Sequence, residues 1–382
     1  MRYLRKFFFW LHLAVGVTAG LVIALMAATG MILAFERPVL RVMDAPAPFE
    51  QQSLAEHPLP LAELLPRLGI GPKNMPTELV LHREPMPLLE VRYGHDRTFF
   101  ANPWTGELIG SPASGLHHFF SIVANLHRRL GFGMKNALAH NVVGAADLAF
   151  LFLLLSGLYL WLPRLWNKAN LRGRVFFLAS ARGRMREWNW HHVFGLWLAI
   201  PLVLITMTGA VLAYPWATQL LYTMTGSQMP VQDQHRAAHA NEGGARPQPF
   251  IDPQLDRWVQ MAASAVPDWQ LLRVPMLPAN EQKITLTADR SQGGRPEKAV
   301  AITIDRSSQR IQHVDEFSSN PLGRKLRLWA RFVHTGEEFG LVGALVAALS
   351  ALAALLLCWT GIAMAVRRMM RALHGNEAPK AA

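Results

Sequence analysis

Four segments of this chain are long, apolar and almost free of charged residues. They cover approximately residues 11–35, 140–162, 193–214 and 340–366. Because a helix rises about 1.5 Å per residue, each can cross a hydrocarbon layer of about 30 Å, whereas helices in soluble cores are rarely so apolar on every side. The first segment is too long for the apolar part of a signal peptide and lacks a convincing cleavage site. The sequence therefore predicts an α-helical polytopic membrane protein with four transmembrane helices.

Basic residues are concentrated in three stretches outside these segments: residues 1–6, 164–187 and 367–382. The only acids in these stretches are Glu187 and Glu377. The basic residues are Arg2, Arg5, Lys6, Arg164, Lys168, Arg172, Arg174, Arg182, Arg184, Arg186, Arg367, Arg368, Arg371 and Lys380. Because Lys and Arg are enriched in short cytoplasmic connections, this pattern predicts that both termini and the short loop are cytoplasmic and that two large regions lie outside. The net charge of +12 follows the membrane and forms no single patch with interleaved aromatic residues, which argues against nucleic-acid binding.

Eight parts follow from this division. They are 1–35 (N-terminus and helix one), 36–139 (first external region), 140–163 (helix two), 164–189 (basic loop), 190–214 (helix three), 215–338 (second external region), 339–366 (helix four) and 367–382 (tail).

The sequence of each external region predicts a small α+β module. Residues 99–109 look like two strands joined by a tight turn at Asn102-Pro-Trp-Thr-Gly. A similar pattern occupies residues 299–312, after a predicted amphipathic helix at Leu255–Val266. The second turn has Asp305-Arg-Ser-Ser-Gln where the first has a glycine.

A spacing that contains a histidine occurs twice. The histidine is followed four residues later by glycine and fourteen residues after that by the glycine of Thr-Gly: His12, Gly16 and Thr29-Gly30, then His191, Gly195 and Thr208-Gly209. The other two apolar segments extend the repeat, because His127 precedes Ser-Gly157 and His334 precedes Thr-Gly361 at comparable distances. The chain then reads as two tandem copies of helix, external module and helix.

These histidines are candidate haem ligands. An ionisable side chain at a membrane helix terminus is costly to keep dry, so a repeated one indicates a common function. His12 and His191 are expected on the cytoplasmic side, with His192 as a substitute for its neighbour. His334 is expected on the external side, where either His127 or His140 completes the pair.

Cys358 is the only cysteine in the chain. One thiol cannot form an intrachain disulfide, an iron–sulfur cluster or a Cys-x-x-Cys-His haem attachment. Any haem must therefore be held noncovalently, and histidine is the expected ligand.

Several motifs together resemble the PepSY-associated transmembrane helix family over nearly the whole chain. They are Trp10-x-His12-x-x-x-Gly16, Trp190-His191-His192-x-x-Gly195, the Thr-Gly pairs, the strand–turn–strand at 102–109, the Leu126-His127 and Val333-His334 steps, and Ser-Gly-Leu-Tyr-Leu-Trp-Leu-Pro-Arg at 156–164. That family includes iron-regulated inner-membrane proteins similar to ferric-siderophore reductases of the FoxB type.

The resemblance implies periplasmic PepSY-like modules, haem b and one-electron reduction of siderophore-bound iron in the bacterial inner membrane. We therefore expect an oxidoreductase with two haems b that acts on a ferric siderophore, with hydroxamates as the favoured class. His117, His118 and Trp329 are the expected substrate-facing residues, because they lie near the steps at His127 and His334.

Further residues are candidates for a supporting role around the cofactor. Haem propionates need cations, and those at suitable levels are Arg5, Lys6, Arg128, Arg129, Arg327 and Arg331. Asp147 lies inside the second apolar segment, where it could orient a ligand or carry a proton, or be a hydrogen-bonded buried acid.

The electron donor must be external to the chain. Gly131-Phe132-Gly133 and Gly243-Gly244 lack the strand–helix frame of a dinucleotide site. A quinol in the bilayer or a cytoplasmic flavoprotein on the basic loop is expected instead. Two alternatives remain: a siderophore or peptide transporter with no redox role, and a sensor or inhibitor anchor in which the helices only hold the PepSY-like modules.

Overall fold

The computed structural model describes residues 2–43, 58–71, 74–83, 87–93, 97–110, 114–133, 136–163, 166–229, 251–276, 281–293 and 295–374. Arg164, Glu377, Lys380 and the Gly243-Gly244 pair lie outside the described residues. The chain divides into two compact units. The first comprises Met1–Phe35, Val123–Leu221 and Val333–Ala382, and the second comprises Glu36–Ile122 and Tyr222–Phe332.

The described chain is mostly helical. Its α-helices are α1 (Arg2–Leu33), α2 (Glu36–Met43), α3 (Leu61–Arg67), α4 (Ser114–Arg129), α5 (Ala137–Trp161), α6 (Lys168–Val175), α7 (Gly183–Trp197), α8 (Ala199–Ala213), α9 (Pro215–Met224), α10 (Leu255–Ala265), α11 (Leu322–Thr335) and α12 (Gly340–His374).

Three of the four predicted spans are single helices. In the described chain, α1, α5 and α12 are each long and apolar enough to cross a membrane, and a fourth span results if α7 and α8 are counted as one. Those two helices are bent by 66°, so the expectation of a continuous third helix is wrong. Pro201 lies in the first turn of α8. It has no N–H to donate to a carbonyl of α7, and its ring disfavours the helical conformation of the preceding residue, so a break close to Leu198 is expected.

In the first unit, α1 packs against α5 and α12, while α5 also packs against α8, and α7 against α12. Leu154, Leu202, Ala354 and Leu357 form a buried apolar cluster between these helices. Asn136 caps α5, because its side-chain oxygen accepts a hydrogen bond of 2.9 Å from the backbone N–H of Ala139.

The basic loop contains helical structure. It contains α6, and α7 begins at Gly183, several residues before the predicted start of the third span. Asn189 on α7 is fully buried. Its side-chain nitrogen donates to the carbonyls of Gly173 (2.7 Å) and Phe176 (2.9 Å), and its oxygen accepts from the N–H of Leu178 (3.0 Å). This one amide holds the loop against α7.

In the second unit, the described strands form a single antiparallel sheet. The strands are β1 (Glu78–His82), β2 (Leu88–Tyr93), β3 (Arg97–Ala101), β4 (Leu108–Gly110), β5 (Leu271–Pro275), β6 (Lys283–Asp289), β7 (Ala299–Asp305) and β8 (Arg310–Glu316). Their order is β4-β3-β2-β1-β5-β6-β7-β8. The predicted strands are therefore present, but the two external regions contribute to one sheet rather than to two separate modules.

The joint between the two halves of the sheet is the antiparallel pair β1–β5, in which Leu79 lies opposite Val274. Both side chains are buried and belong to one apolar core shared with α3 and α10, where Trp258 is the largest fully buried side chain. A shared core makes separate folding of the halves unfavourable, because each half alone would expose that apolar surface.

The two predicted turns have different chemistry, as the sequence indicated. At the first, Gly106 has a positive φ of 72° and its N–H bonds to the carbonyl of Asn102 at 2.9 Å. At the second, Gln309 takes the positive φ, 52°, while the Asp305 carboxylate accepts hydrogen bonds from the N–H groups of Ser307 and Ser308, both at 2.9 Å.

Glu90 of β2 is a buried acid. Its side chain lies on the face of the sheet opposite its neighbours Leu89 and Val91, which belong to the apolar core. Its carboxylate lies 2.9 Å from Nε2 of His82 and 2.5 Å from Nε of Arg92, which also contacts Glu78 at 3.2 Å. Burial alone would raise the pKa of Glu90, but the hydrogen bonds from His82 and Arg92 and the charge of Arg92 lower it to about 2.

Candidate functional site

Four histidines of the first unit make the same contact with a buried hydroxyl group. Nδ1 of His12 on α1 lies 2.8 Å from Oγ of Ser156 on α5. Nδ1 of His191 on α7 lies 2.9 Å from Oγ1 of Thr360 on α12. Each hydroxyl residue is the one that precedes a glycine in the repeated sequence pattern.

The other two histidines contact the Thr-Gly ends of α1 and α8. Nδ1 of His127 lies 3.0 Å from both Oγ1 of Thr29 and the carbonyl oxygen of Met26. Nδ1 of His334 lies 2.9 Å from the carbonyl oxygen of Ile205 and 3.4 Å from Oγ1 of Thr208. We call these two residues the His127–His334 pair, and we call the other two the His12–His191 pair.

These contacts determine which ring nitrogen carries the proton. The hydroxyls of Ser156 and Thr360 donate their own hydrogens to carbonyls one turn earlier in their helices, at 2.7 and 2.6 Å. They can therefore only accept from histidine, and a carbonyl oxygen beside His127 or His334 can likewise only accept. All four rings thus carry the proton on Nδ1, which leaves a lone pair on Nε2, the form in which histidine binds a metal.

The glycine after each hydroxyl residue makes room for the ring. A Cβ atom at Gly30 would lie 3.2 Å from Cε1 of His127, and one at Gly209 would lie 3.0 Å from Cε1 of His334. The corresponding distances are 3.3 Å from Gly157 to His12 and 3.4 Å from Gly361 to His191. Hydroxyl and glycine therefore act together: one orients the imidazole, and the other lets it approach the helix.

The His127–His334 pair is a close pair. Its ring centroids are 6.4 Å apart, with the ring planes inclined by 58°. The two residues are on α4 and α11, the helices that precede α5 and α12 in the chain. Arg128 lies near enough to both rings to interact with them electrostatically.

The His12–His191 pair lines a cavity of about 570 Å³ between the helices of the first unit. It is lined by glycines from four helices, α1, α5, α7 and α12. The glycines are Gly16, Gly20, Gly157, Gly195 and Gly361. Since glycine has no side chain, these positions leave flat wall surface on which a planar ligand could lie.

Cations surround one end of this cavity. They come from α1, α6, α7 and α12 and are Arg5, Lys6, Arg174, Arg184, Arg367, Arg368 and Arg371. We call this set the basic rim. Arg5 donates a hydrogen bond of 2.7 Å to the carbonyl of Leu160 at the end of α5.

The two alternative histidines have different surroundings. His192 lines the same cavity, but its Nδ1 bonds to the carbonyl of Trp188 at 2.8 Å. Nε2 of His140 lies 3.2 Å from the carbonyl of Ala213, so this nitrogen is the donor and its lone pair is unavailable to a metal. The geometry therefore favours His127 over His140. His192, like His191, donates through Nδ1 and keeps Nε2 free in the cavity, so only the repeated contact with a Ser/Thr-Gly hydroxyl distinguishes His191.

Asp147 is buried on α5 and lies beside α8. A Cβ atom at Gly209 would be 3.2 Å from one of its carboxylate oxygens and 3.0 Å from His334, so the acid is close to the His127–His334 pair. Its Oδ2 is buried and has no hydrogen-bond partner among the described residues.

The remaining predicted site residues are on the same helices as the His127–His334 pair. His117 and His118 lie near the start of α4, and Trp329 lies on α11, five residues before His334. Arg129 ends α4, while Arg327 and Arg331 lie on α11. Residues 117, 118, 327, 329 and 331 belong to the second unit.

One family model, described as the PepSY-associated TM region, matches residues 9–368. The chain belongs to this family. No curated protein matches it. The match covers all four histidines and their hydroxyl partners, and it agrees with the resemblance drawn from the sequence motifs.

The orienting hydroxyls are the functional residues that sequence reasoning missed. Ser156, Thr29, Thr208 and Thr360 were part of the repeated motif but had no assigned role. Their signal was the constant Ser/Thr-Gly pair in every apolar segment. Within the described residues, no three His, Cys, Asp or Glu side chains form a metal-ion site, and a haem needs only two.

Proposed function

We propose that the protein is a haem-dependent ferric-siderophore reductase of the bacterial inner membrane, with both termini in the cytoplasm. The observation that carries this proposal is the set of four histidines that donate through Nδ1 to a neighbouring helix and keep Nε2 for a metal. The repeated motif, present in both halves of the chain, supports two equivalent sites rather than one.

The His127–His334 pair brings two imidazoles together, with ring centroids 6.4 Å apart and Nδ1 of each ring donating to a neighbouring helix. This close approach supports a cofactor held by both residues. His127 and His334 would hold one haem b, with Arg128 beside it as a cation for a propionate.

The His12–His191 pair fits a second haem b for a different reason. Its cavity has the glycine-lined apolar walls that a porphyrin needs and cations at one end for the propionates. His12 and His191 would be the ligands, and Arg5 and Lys6 are suitable propionate partners.

The two sites support electron transfer along the bundle. A haem held by either histidine pair would supply one-electron transfer. His12 and Thr29, which orients His127, are seventeen residues apart on α1, which corresponds to about 25 Å of helix. Two carriers would therefore relay an electron over a distance too great for a single hop.

The orientation follows from charge. The basic rim and the basic loop lie at the His12 end of α1, and cytoplasmic ends of membrane helices are enriched in Lys and Arg. The His12–His191 pair would then receive electrons from a quinol or a cytoplasmic flavoprotein, and the His127–His334 pair would deliver them on the periplasmic side.

The proposed substrate is a ferric siderophore, with hydroxamates as the favoured class. Hard oxygen ligands hold Fe(III) much more tightly than Fe(II), so accepting one electron releases the iron. His117, His118 and Trp329 are the proposed contact residues.

The first test is the visible spectrum and the haem content of the purified protein. We expect a Soret band, sharp reduced α and β bands, and about two haems per chain by pyridine haemochrome. His12→Ala and His334→Ala should each remove about one haem, while the matched variants His192→Ala and His140→Ala should keep both. Full haem content in His12→Ala and His334→Ala would refute the ligand assignment. A colourless protein from haem-sufficient cells would favour a transporter, with Asp147 as its proton site, or a PepSY-type anchor.

The second test concerns the substrate. A ferric hydroxamate added to reduced protein should reoxidise the haems and yield Fe(II), which a ferrous chelator captures. If the haems stay reduced with excess chelate but are promptly reoxidised by a small soluble oxidant, the electron path is intact and the substrate is wrong.

A further inference from the structure

The basic rim converges on one cavity from four different helices. Arg5 comes from α1, Arg174 from α6, Arg184 from α7 and Arg368 from α12, and all line the end of the cavity that contains His12 and His191. Cations that merely anchor a bundle to lipid headgroups would project outward around its perimeter. Because the cations of the basic rim line one cavity and most of them are also exposed, they can act on a common ligand at its entrance.

Carbonyl groups and aromatic rings, rather than acids, hold several of these side chains. Arg174 donates to the carbonyl of Trp161 and its guanidinium carbon lies 5.6 Å from the ring centroid of Trp188. Arg368 lies 4.9 Å from the ring centroid of Trp10. Such contacts fix the position of a guanidinium without neutralising it.

Within the described part of the chain, the basic rim has one ion pair. Arg367 contacts the buried Glu187 at 2.7 Å. The rim therefore keeps a large positive charge, and the two propionates of one haem would neutralise only a small part of it. The surplus is available to an anionic surface that docks from outside.

An aromatic contact lies next to this charge. The ring centroids of Trp188 and His192 are 4.2 Å apart, and those of His192 and His191 are 6.3 Å apart. Trp188 and His192 both line the cavity. They would bring the π system of a docked donor within a short distance of the His12–His191 pair.

We propose that the basic rim is the docking surface for an acidic soluble electron donor, a flavoprotein of the flavodoxin kind, in preference to a quinol. This inference rests on the proposed function. An anionic flavin hydroquinone would give up one electron and become the neutral semiquinone, a haem held by His12 and His191 would accept that electron, and no proton would move. Charge complementarity sets the rate of encounter, since steering acts before contact.

The test uses the full-length protein in nanodiscs of phosphatidylcholine, a lipid without net charge. Reduced flavodoxin is mixed with it, and haem reduction is followed by stopped-flow absorbance. The second-order rate constant should fall by a factor of about ten or more when the ionic strength rises from about 20 to about 300 mM. Reduced riboflavin, which has no phosphate, should show little salt dependence.

Charge-reversal variants locate the surface. Arg184→Glu and Arg371→Glu should each lower the rate constant with flavodoxin about tenfold at low salt, relative to the rate constant of the same variant with riboflavin. Arg172→Glu is the matched control, because Arg172 is an exposed cation of the same loop that does not line the cavity. Arg172→Glu should change the rate constant with flavodoxin by less than about twofold.

Binding of oxidised flavodoxin is measured separately and needs no haem, so it distinguishes failure of this inference from failure of the proposed function. Salt-sensitive binding weakened by Arg184→Glu would support the docking surface even in a colourless preparation. Equal effects of Arg172→Glu and Arg184→Glu, or a rate insensitive to salt, would overturn it. The inference would also be overturned if Arg184→Glu and Arg371→Glu bound flavodoxin normally but no longer retained phosphatidylglycerol, because the rim would then be a lipid site.

Discussion

Nδ1 of His191 lies 2.9 Å from Oγ1 of Thr360, and the same hydroxyl donates to the carbonyl of Leu356 at 2.6 Å. The hydroxyl is therefore a neutral acceptor for the imidazole and is itself held by its helix. Ser156 plays the same part for His12. Metal-binding histidines are commonly oriented by such a partner on their second nitrogen.

Replacing Thr360 by valine should weaken the His12–His191 site. Valine has nearly the same shape but offers no acceptor to Nδ1, so the ring loses its preferred tautomer and orientation. We expect haem affinity at this site to fall about 10- to 100-fold, measured as haem loss to apomyoglobin. Thr360→Ser is the matched control and should retain the affinity, because it keeps the hydroxyl. Equal loss from both variants would contradict an orienting role.

Gly209→Ala should disrupt the His127–His334 site and spare the other one. The new methyl group would lie 3.0 Å from Cε1 of His334 and 3.2 Å from the carboxylate of Asp147, so the imidazole must move. We expect the loss of about one haem per chain. Gly115→Ala is the control, since a Cβ atom at this position on α4 would have no described atom within 4 Å and the residue does not line the cavity of the His12–His191 pair. Retention of both haems in Gly209→Ala would show that His334 is not a ligand in this position.

Asn189→Ala should loosen the basic loop. The substitution removes the partner of two carbonyls and one N–H, and leaving buried polar groups unpaired costs about 1–3 kcal/mol each. We expect a lower melting temperature and faster proteolysis between α6 and α7. Lys168→Ala, which changes an exposed side chain on α6, should have neither effect. Unchanged proteolysis of Asn189→Ala would indicate that other contacts hold the loop.

The sheet should lose stability in acid because of Glu90. Its pKa is lowered from 4.5 to about 2 in the folded state, so its contribution is complete above about pH 4.5 and is lost as the pH falls toward 2. The shift corresponds to about 3 kcal/mol. The protection factors for hydrogen exchange of β1 and β2, corrected for the intrinsic exchange rate at each pH, should therefore fall between about pH 5 and about pH 3.

Glu90→Gln should remove most of that pH dependence and start from a lower stability. Glu63→Gln is the control, because Glu63 is an exposed acid on α3 whose contact with Arg67 is 3.9 Å. If Glu90→Gln exchanged with the same pH profile as the unmodified protein, another group would be responsible for acid sensitivity.

Sequence alone determined the features that depend on local pattern. The apolar length of each span, the period of the strands and the Asn102 turn require only neighbouring residues, and all were predicted. The histidine spacing was visible for the same reason, because each histidine and the Ser/Thr-Gly pair that follows it recur at nearly constant separations in the chain.

Only the tertiary structure decided which groups meet. The pairing of β1 with β5 joins residues that are far apart in the chain, so no local pattern indicates that the sheet is continuous. The preference for His127 over His140 depends on which ring nitrogen faces a carbonyl on another helix. The break near Leu198 had a local signal in Pro201, but its bend of 66° depends on how α7 packs against α12 and α8 against α5. Convergence of the basic rim is likewise a matter of packing, since charge order along a chain does not specify which way a side chain points.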